Sequence, residues 1–271
     1  MWIRFLNQAD MGQQLLKSSC FIDLRFLDGG NTVITGNHDH SQRHAAILVH
    51  DITYAPMTLK ATYLLPRIAA ESQWEVVTVH PSIPSPVPSN DFGAHPTDLH
   101  PSTQTQIIHI SFQTGPRVWR HVGPHPTHTL LINSRVFSTS LPPDNSGLPL
   151  VIPWNSWGPA NCRSFSESDG HILNVVGKRC VYTTHNNTLG VFDFTPNLSY
   201  LASSSDAFDD VTEARPSVMR HWTSFDKTVV TTLPYRRAER CAPFMMGWGQ
   251  ISFSGNHIIS RVGTFLLTCS I

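Results

Sequence analysis

One glycine followed by three polar residues supplies the clearest candidate catalytic groups in this chain. Gly36-Asn37-His38-Asp39 follows a short run of β-branched residues, which places the polar groups at the end of a predicted strand. Asparagine, histidine and aspartate can all ligate divalent metal ions, and a histidine can also transfer a proton during hydrolysis. The run therefore raises the hypothesis of a metal-dependent hydrolase.

The run resembles the segment of calcineurin-like metallophosphoesterases that supplies a metal-ligating asparagine and a catalytic histidine. That chemistry uses two adjacent metal ions, and the family has an upstream Asp-x-His, an upstream Gly-Asp-x-x-Asp and a downstream Gly-His-x-His. Neither upstream motif occurs before Gly36, and residues 123–128 read Gly-Pro-His-Pro-Thr-His. We therefore favour a polar hairpin loop for residues 36–39 and keep the metal-dependent phosphoesterase as the alternative function.

The other candidate sites are weaker. His38, His40 and His44 are close enough in sequence to share a metal ion, but the chain has 15 histidines and such groups arise by chance. We interpret these three as solvated loop residues. The sequence has no Gly-x-Ser-x-Gly elbow and no glycine-rich phosphate loop. We therefore predict a protein that is not an enzyme, with no catalytic, cofactor-binding or metal-ligating residues and no cofactor.

The composition predicts a folded chain that binds neither nucleic acid nor a membrane. Charged residues make up 14% of the 271 residues and the formal net charge is zero, so no basic excess is available for phosphates. The five cysteines are widely spaced and lack C-x2-C pairs, which favours reduced thiols and a cytoplasmic or nuclear location. No apolar run reaches the 18 residues of a membrane-spanning helix.

Short alternating segments predict an all-β fold that follows an N-terminal segment, residues 1–19, of uncertain structure. Residues 21–27 alternate and end at the turn sequence Asp-Gly-Gly-Asn, and residues 32–35, 45–52 and 61–65 continue as strands. Four antiparallel strands in about 45 residues match one propeller blade. The remaining predicted strands are residues 75–80, 106–112, 129–135, 171–176, 178–184, 189–194, 229–233, 250–253, 256–260 and 263–267.

The blade-like pattern recurs along residues 20–271, which we predict to be one WD40-like, partial and incomplete β-propeller domain. Residues 47–52 and 189–194 share the pattern apolar-x-Val-x-Asp-apolar, which is similar to a third-strand ending of WD-type blades. Proline-rich residues 81–101 are predicted as an inserted surface loop and residues 203–215 as a polar loop. Arg236, Arg237 and Arg240 are predicted to lie in a solvated turn.

Several segments of the C-terminal half resemble F-box-type proteins that are abundant in mushroom-forming fungi. The run Val-Ile-Pro-Trp-Asn-Ser-Trp-Gly-Pro-Ala-Asn-Cys-Arg, residues 151–163, is similar to their Val-Pro-Trp-x-x-Trp-Gly-Pro-x-Asn-Thr-Arg segment, and we expect it to be strand-like. Similar segments follow in the same order at residues 176–179, 189–196, 216–219, 232–236 and 256–259. The resemblance covers about 120 residues, and the order of separate segments is what makes it specific.

The resemblance implies the propeller-like substrate-recognition region of a ubiquitin-ligase adaptor. We expect a non-enzymatic scaffold that recognises a protein partner, with Trp154 and Trp157 locking a junction between blades. The chain departs from the family in one respect, because it contains no helical F-box of its own. A Skp1-type partner is therefore expected only if an F-box lies upstream.

Overall fold

The structure is a computed structural model. It describes residues 24–27, 32–38, 45–53, 56–80, 106–116, 126–139, 149–166, 170–184, 188–195, 209–213, 216–219, 224–241, 251–254, 257–262 and 265–270. The predictions for residues 1–19 and for the proline-rich residues 81–101 lie outside these ranges. Within them the chain is mostly antiparallel β-structure, so the predicted all-β class is confirmed.

The first sheet, sheet I, is the four-stranded meander that the alternating N-terminal pattern predicts. Each strand pairs antiparallel with the next, and a fifth strand from much later in the chain adds parallel to the fourth. The strands are β1 (Leu24–Leu27), β2 (Thr32–His38), β3 (Ala45–Asp51), β4 (Thr58–Leu64) and β8 (Leu150–Ile152).

The second sheet, sheet II, has the order β5-β6-β7-β9 and is antiparallel throughout. A short helix follows its third strand, and a second helix immediately precedes its fourth. The elements are β5 (Ser72–His80), β6 (Ile107–Pro116), β7 (Thr127–Asn133), α1 (Arg135–Thr139), α2 (Trp154–Asn161) and β9 (Cys162–Ser166).

The third sheet, sheet III, has the order β10-β11-β12-β16-β13 and is also antiparallel. Its strands are β10 (His171–Val176), β11 (Arg179–Thr183), β12 (Thr188–Asp193), β13 (Asp209–Glu213) and β16 (Tyr235–Cys241). A two-stranded ribbon contains β14 (Ser217–Met219) and β15 (Val229–Thr231), and sheet IV contains β17 (Ile251–Ser254), β18 (His257–Val262) and β19 (Phe265–Ser270).

Sheet II buries side chains on both of its faces. In β7, Leu130 and Ile132 join a core with sheet I, whereas the intervening Leu131 joins a separate core with sheet III. In β6, Ile108 and Ile107 divide in the same way. Successive side chains of a strand point to opposite faces, so the sheet lies between its two neighbours. This arrangement explains why both strands carry runs of consecutive apolar residues.

The third strand of each of these three sheets ends in the same turn. A side-chain oxygen at the strand end accepts a hydrogen bond from the backbone N–H two residues later, which is an Asx turn. The pairs are Asp51 with Thr53 at 2.7 Å, Asn133 with Arg135 at 3.0 Å and Asp193 with Thr195 at 2.9 Å. The repeat shared by residues 47–52 and 189–194 predicted the strand endings in sheets I and III. The ending in sheet II did not match that pattern, because Asn133 stands where the other two strands have aspartate.

The predicted polar hairpin loop at residues 36–39 is wrong for its first three residues. Gly36, Asn37 and His38 continue β2 and pair with the first residues of β3. A Cβ atom at Gly36 would lie 2.9 Å from both Cγ1 and the carbonyl oxygen of Val77. Glycine is therefore required because sheets I and II approach closely at this point.

Two further predictions were wrong in sheet III. Residues 209–213, predicted as part of a polar loop, form β13 and pair with residues 235–239 of β16. Arg236, Arg237 and Arg240, predicted in a solvated turn, lie within β16 itself. The polar composition of both segments indicates loops, and only the long-range pairing between them makes them strands.

Candidate recognition surface

Helix α2 is anchored to the core by one tryptophan. Trp157 is buried, its Nε1–H donates a hydrogen bond to the Leu64 carbonyl oxygen at 3.0 Å, and its ring meets that of Tyr63 edge-on with centroids 5.4 Å apart. Because Leu64 ends β4 and Trp157 belongs to the core shared by sheets I and II, this residue lies where the two sheets pack together. Its expected role between propeller blades stays a prediction.

The expected strand-like conformation of residues 151–163 is wrong in its middle, where the chain forms the eight-residue helix α2. Pro153 precedes the helix with φ −71°, an orientation that its ring already favours. At the other end, Asn161 Nδ2 donates to the Trp157 carbonyl oxygen at 2.8 Å. Gly158 lies directly under the Trp154 ring, where a Cβ atom would lie 2.2 Å from ring carbon Cε3. Tertiary packing of the two tryptophans thus determines the helix.

Hydrogen bonds connect the ribbon β14–β15, and the residues that follow it, to the end of α2 and to the start of β9. Thr232 donates to the Pro159 carbonyl oxygen through its backbone N–H at 2.7 Å and through its hydroxyl at 3.0 Å. The Thr231 hydroxyl accepts from the Ser164 N–H at 2.9 Å, and the Leu233 N–H donates to the Cys162 carbonyl oxygen at 3.0 Å. Helix end, ribbon and strand therefore form one hydrogen-bonded unit.

The two faces of the ribbon differ sharply. Val229 is buried in the core and Met219 packs against it, whereas Val218 and Val230 point outward with exposed fractions of 42% and 37%. These two valines lie directly opposite each other across the strands. The pair is thus a small apolar ridge on the outside of the unit.

We give the name platform surface to exposed residues of α2, of the two ribbon strands and of the chain directly before and after those strands. It consists of Asn155, Ser156, Ala160, Pro216, Val218, Val230, Thr232 and Pro234. None of these eight residues is charged; Asp226 and Lys227 lie between the two strands, before β15 begins. Depletion of charge with exposed aliphatic side chains is typical of the centre of a protein–protein interface.

The positive charge of Arg163 is held below the surface of this unit. Arg163, at the start of β9, is buried, and its guanidinium carbon lies 4.3 Å from the centre of the Tyr235 ring. A cation over an aromatic face is stabilised by the ring's quadrupole. The arginine of the 151–163 segment therefore joins sheet II to sheet III and adds no charge to the platform surface.

Sheet III contains a polar cluster that the sequence did not predict. The Tyr182 hydroxyl donates to Glu239 Oε1 at 2.5 Å and accepts from Arg237 Nε at 2.7 Å, while its ring stacks on Phe192 at 4.2 Å. Burial first, and then the hydrogen bond to Glu239, raise the pKa of Tyr182. The phenol stays protonated, so the cluster is suited to joining β11 to β16 and not to proton transfer.

The histidines of β5 and β6 form a second polar cluster. The rings of His80 and His109 stack with centroids 4.0 Å apart, and His80 Nε2 lies 2.6 Å from Ser111 Oγ. Burial, together with the charge of the neighbouring His80, lowers the pKa of His109 to about 3. A catalytic serine also needs donors that stabilise an oxyanion, and the described contacts of this cluster provide none. We interpret it as cross-strand packing.

The residues of the candidate phosphoesterase run are only partly described. Gly36, Asn37 and His38 lie in β2, whereas Asp39, His40 and His44 fall outside the described ranges. Within those ranges no three histidine, cysteine or acidic side chains are grouped to hold a metal ion.

No helix in the described part of the chain is long and apolar enough to cross a membrane.

The thiols of Cys162 and Cys180 are buried, and burial raises the pKa of both. Both therefore behave as small apolar core residues.

The chain matches no protein-family model, no curated protein and no solved structure.

Three segments of the C-terminal half lie close together in the structure. Residues 151–163, 216–219 and 232–236, which are far apart in sequence, all contribute to the hydrogen-bonded unit beneath the platform surface. The spacing in sequence gave no sign of this convergence, because the ribbon and the helix are more than fifty residues apart.

Proposed function

We propose that this chain is a non-enzymatic protein-recognition scaffold built as a WD40-like, partial β-propeller. The support for the propeller-like arrangement is the uniform stacking of sheets I, II and III. In each, the third strand ends in an Asx turn, and in sheets II and III the residues before that turn, Ile132 and Phe192, pack towards the preceding sheet. A rigid β body of this kind positions surface segments for binding.

The platform surface carries the proposal. It is uncharged and includes two exposed valines, and the α2–ribbon hydrogen bonds hold it in one conformation. Rigid apolar groups lose little conformational entropy when a partner covers them. The eight platform residues themselves carry no charge that a partner would have to desolvate. A protein partner of complementary shape is therefore the class of ligand that this surface favours.

The resemblance of residues 151–163, 216–219 and 232–236 to F-box-type proteins extends the proposal to a pathway. On that basis the platform is the target-binding region of a ubiquitin-ligase adaptor. A Skp1-type partner would bind only through an F-box encoded upstream in a longer chain. The phosphoesterase alternative gains no support from β2, where Gly36 serves close sheet packing.

Affinity capture from the source organism, with cross-linking and quantitative mass spectrometry, tests the proposal. The variant Val218→Glu/Val230→Glu places two charges on the ridge, and Val151→Glu is the matched control because Val151 is 59% exposed on β8 of sheet I. We expect a protein that wild type and V151E enrich alike and that the double variant loses. Identical protein sets for all three folded chains would refute the proposal.

A further inference from the structure

Two buried polar atoms in sheet I have no hydrogen-bond partner among the residues that the structure describes. They are Thr35 Oγ1 and His50 Nε2, and the two residues are 0% and 7% exposed. Thr35 lies on β2 and His50 on β3, in diagonal positions because Val33 pairs with His50 and Thr35 pairs with Leu48. Both side chains point to the face of sheet I that is turned away from sheet II, since Ile34 and Val49 occupy the opposite face.

At the corresponding positions of sheets II and III, the residues are either packed in a hydrophobic core or have their polar group hydrogen-bonded. His50 precedes the Asx residue of its strand, as Ile132 and Phe192 do in sheets II and III, and both of those are core residues. Thr35 corresponds by strand register to Ile110 and Tyr182. Ile110 is a core residue, and the Tyr182 hydroxyl is hydrogen-bonded.

Unpaired buried polar atoms are rare in folded proteins, because a polar group that leaves water without gaining a partner destabilises the fold. Two such atoms at diagonal positions on one face of the sheet, where the neighbouring sheets carry packed or hydrogen-bonded residues, therefore point to a bonding partner. We infer that Thr35 and His50 bind an uncharged hydrogen-bonding guest, either a water molecule or the hydroxyl or amide group of a small ligand. This inference does not depend on the platform surface.

The chemistry of the two side chains determines the class of guest. A threonine hydroxyl both donates and accepts, and a neutral imidazole nitrogen does one or the other according to its tautomer. Burial lowers the pKa of His50, so the ring stays neutral near pH 7. An ionic guest would need an opposite charge to offset its burial, whereas one neutral oxygen or nitrogen atom can bridge both groups.

Isosteric removal of the hydroxyl tests the inference. In the variant Thr35→Val, a guest loses one of its two bonds, and we expect the melting temperature to fall by about 2–6 °C. If the site is empty, the same variant only removes an unpaired group and its melting temperature rises, which would overturn the inference. His50→Leu and the double variant complete a double-mutant cycle. If a guest is bound, the melting temperature of the double variant falls by less than the sum of the decreases in the two single variants.

Two small probes distinguish bound water from an organic guest. Methanol supplies a hydroxyl group and N-methylacetamide supplies an amide group. If a probe raises the melting temperature of wild type but not of T35V/H50L, the site takes an exchangeable organic group. If neither probe does so while T35V is destabilised, the guest is water. If Thr35→Val and His50→Leu each raise the melting temperature and their effects add, with or without a probe, then no guest is bound.

Discussion

Replacing Gly190 with alanine tests the packing of Tyr182 across sheet III. An added Cβ atom would lie 2.2 Å from Tyr182 Cζ and 2.4 Å from its hydroxyl oxygen, well inside the normal contact distance of about 3.5–4.0 Å. The ring must move by more than about 1 Å, which weakens its stacking on Phe192 and its hydrogen bond to Glu239. Losing part of a stacked pair and of a charge-assisted hydrogen bond costs about 2–4 kcal/mol.

The loss is measured by urea unfolding followed by far-ultraviolet circular dichroism. A double-mutant cycle with Tyr182→Leu assigns the cause, because leucine lacks the ring atoms that the new methyl group would strike. In that background we expect G190A to change the free energy of unfolding by less than about 1 kcal/mol, which leaves a coupling of about 2–3 kcal/mol. Equal costs of G190A in the two backgrounds would refute the steric explanation.

Three further predictions concern Trp157, His109 and the two core cysteines. Trp157→Phe keeps an aromatic ring but removes the hydrogen bond to the Leu64 carbonyl, so the free energy of unfolding should fall by about 1–3 kcal/mol in urea titrations. Burial lowers the pKa of His109 to about 3, against 6.5 for an unperturbed histidine. This group therefore leaves stability unchanged above pH 6.5 and lowers it as the pH falls from 6.5 towards 3, by at most about 1.4 kcal/mol per pH unit. His109→Phe should abolish this contribution, and an unchanged acid slope would contradict it. Cys162 and Cys180 should react with a thiol reagent only as fast as the chain unfolds, and rapid labelling of folded protein at either thiol would contradict their burial.

Much of sheets I and III follows from local sequence. Alternation predicted β1 with β2, and the triplet β10, β11 and β12 appears within one or two residues of the predicted bounds. In these hairpins the strand pairs with its neighbour in sequence, so side-chain pattern and turn residues suffice. In the turn from β10 to β11, Gly177 has φ +57°, a conformation that glycine adopts without strain.

The elements that the sequence did not reveal all depend on distant partners. β8 adds to β4 from about ninety residues away. β13 pairs only with β16, and β16 lies between β13 and β12, so both strands depend on partners that are distant in sequence. Helix α2 contains Gly158 and Pro159, which are poor helix formers, and the packing of Trp157 overrides that propensity. The platform surface depends on the same long-range contacts and could not be predicted.

Once a partner is captured, its affinity for the platform surface is the most direct test of the recognition proposal. Calorimetric titration should give a dissociation constant at least about tenfold weaker for Val230→Glu than for wild type, since a buried unpaired carboxylate costs well over 1.4 kcal/mol. The matched control Val151→Glu should bind like wild type. Equal affinities of all three proteins would contradict the claim that this surface recognises the partner.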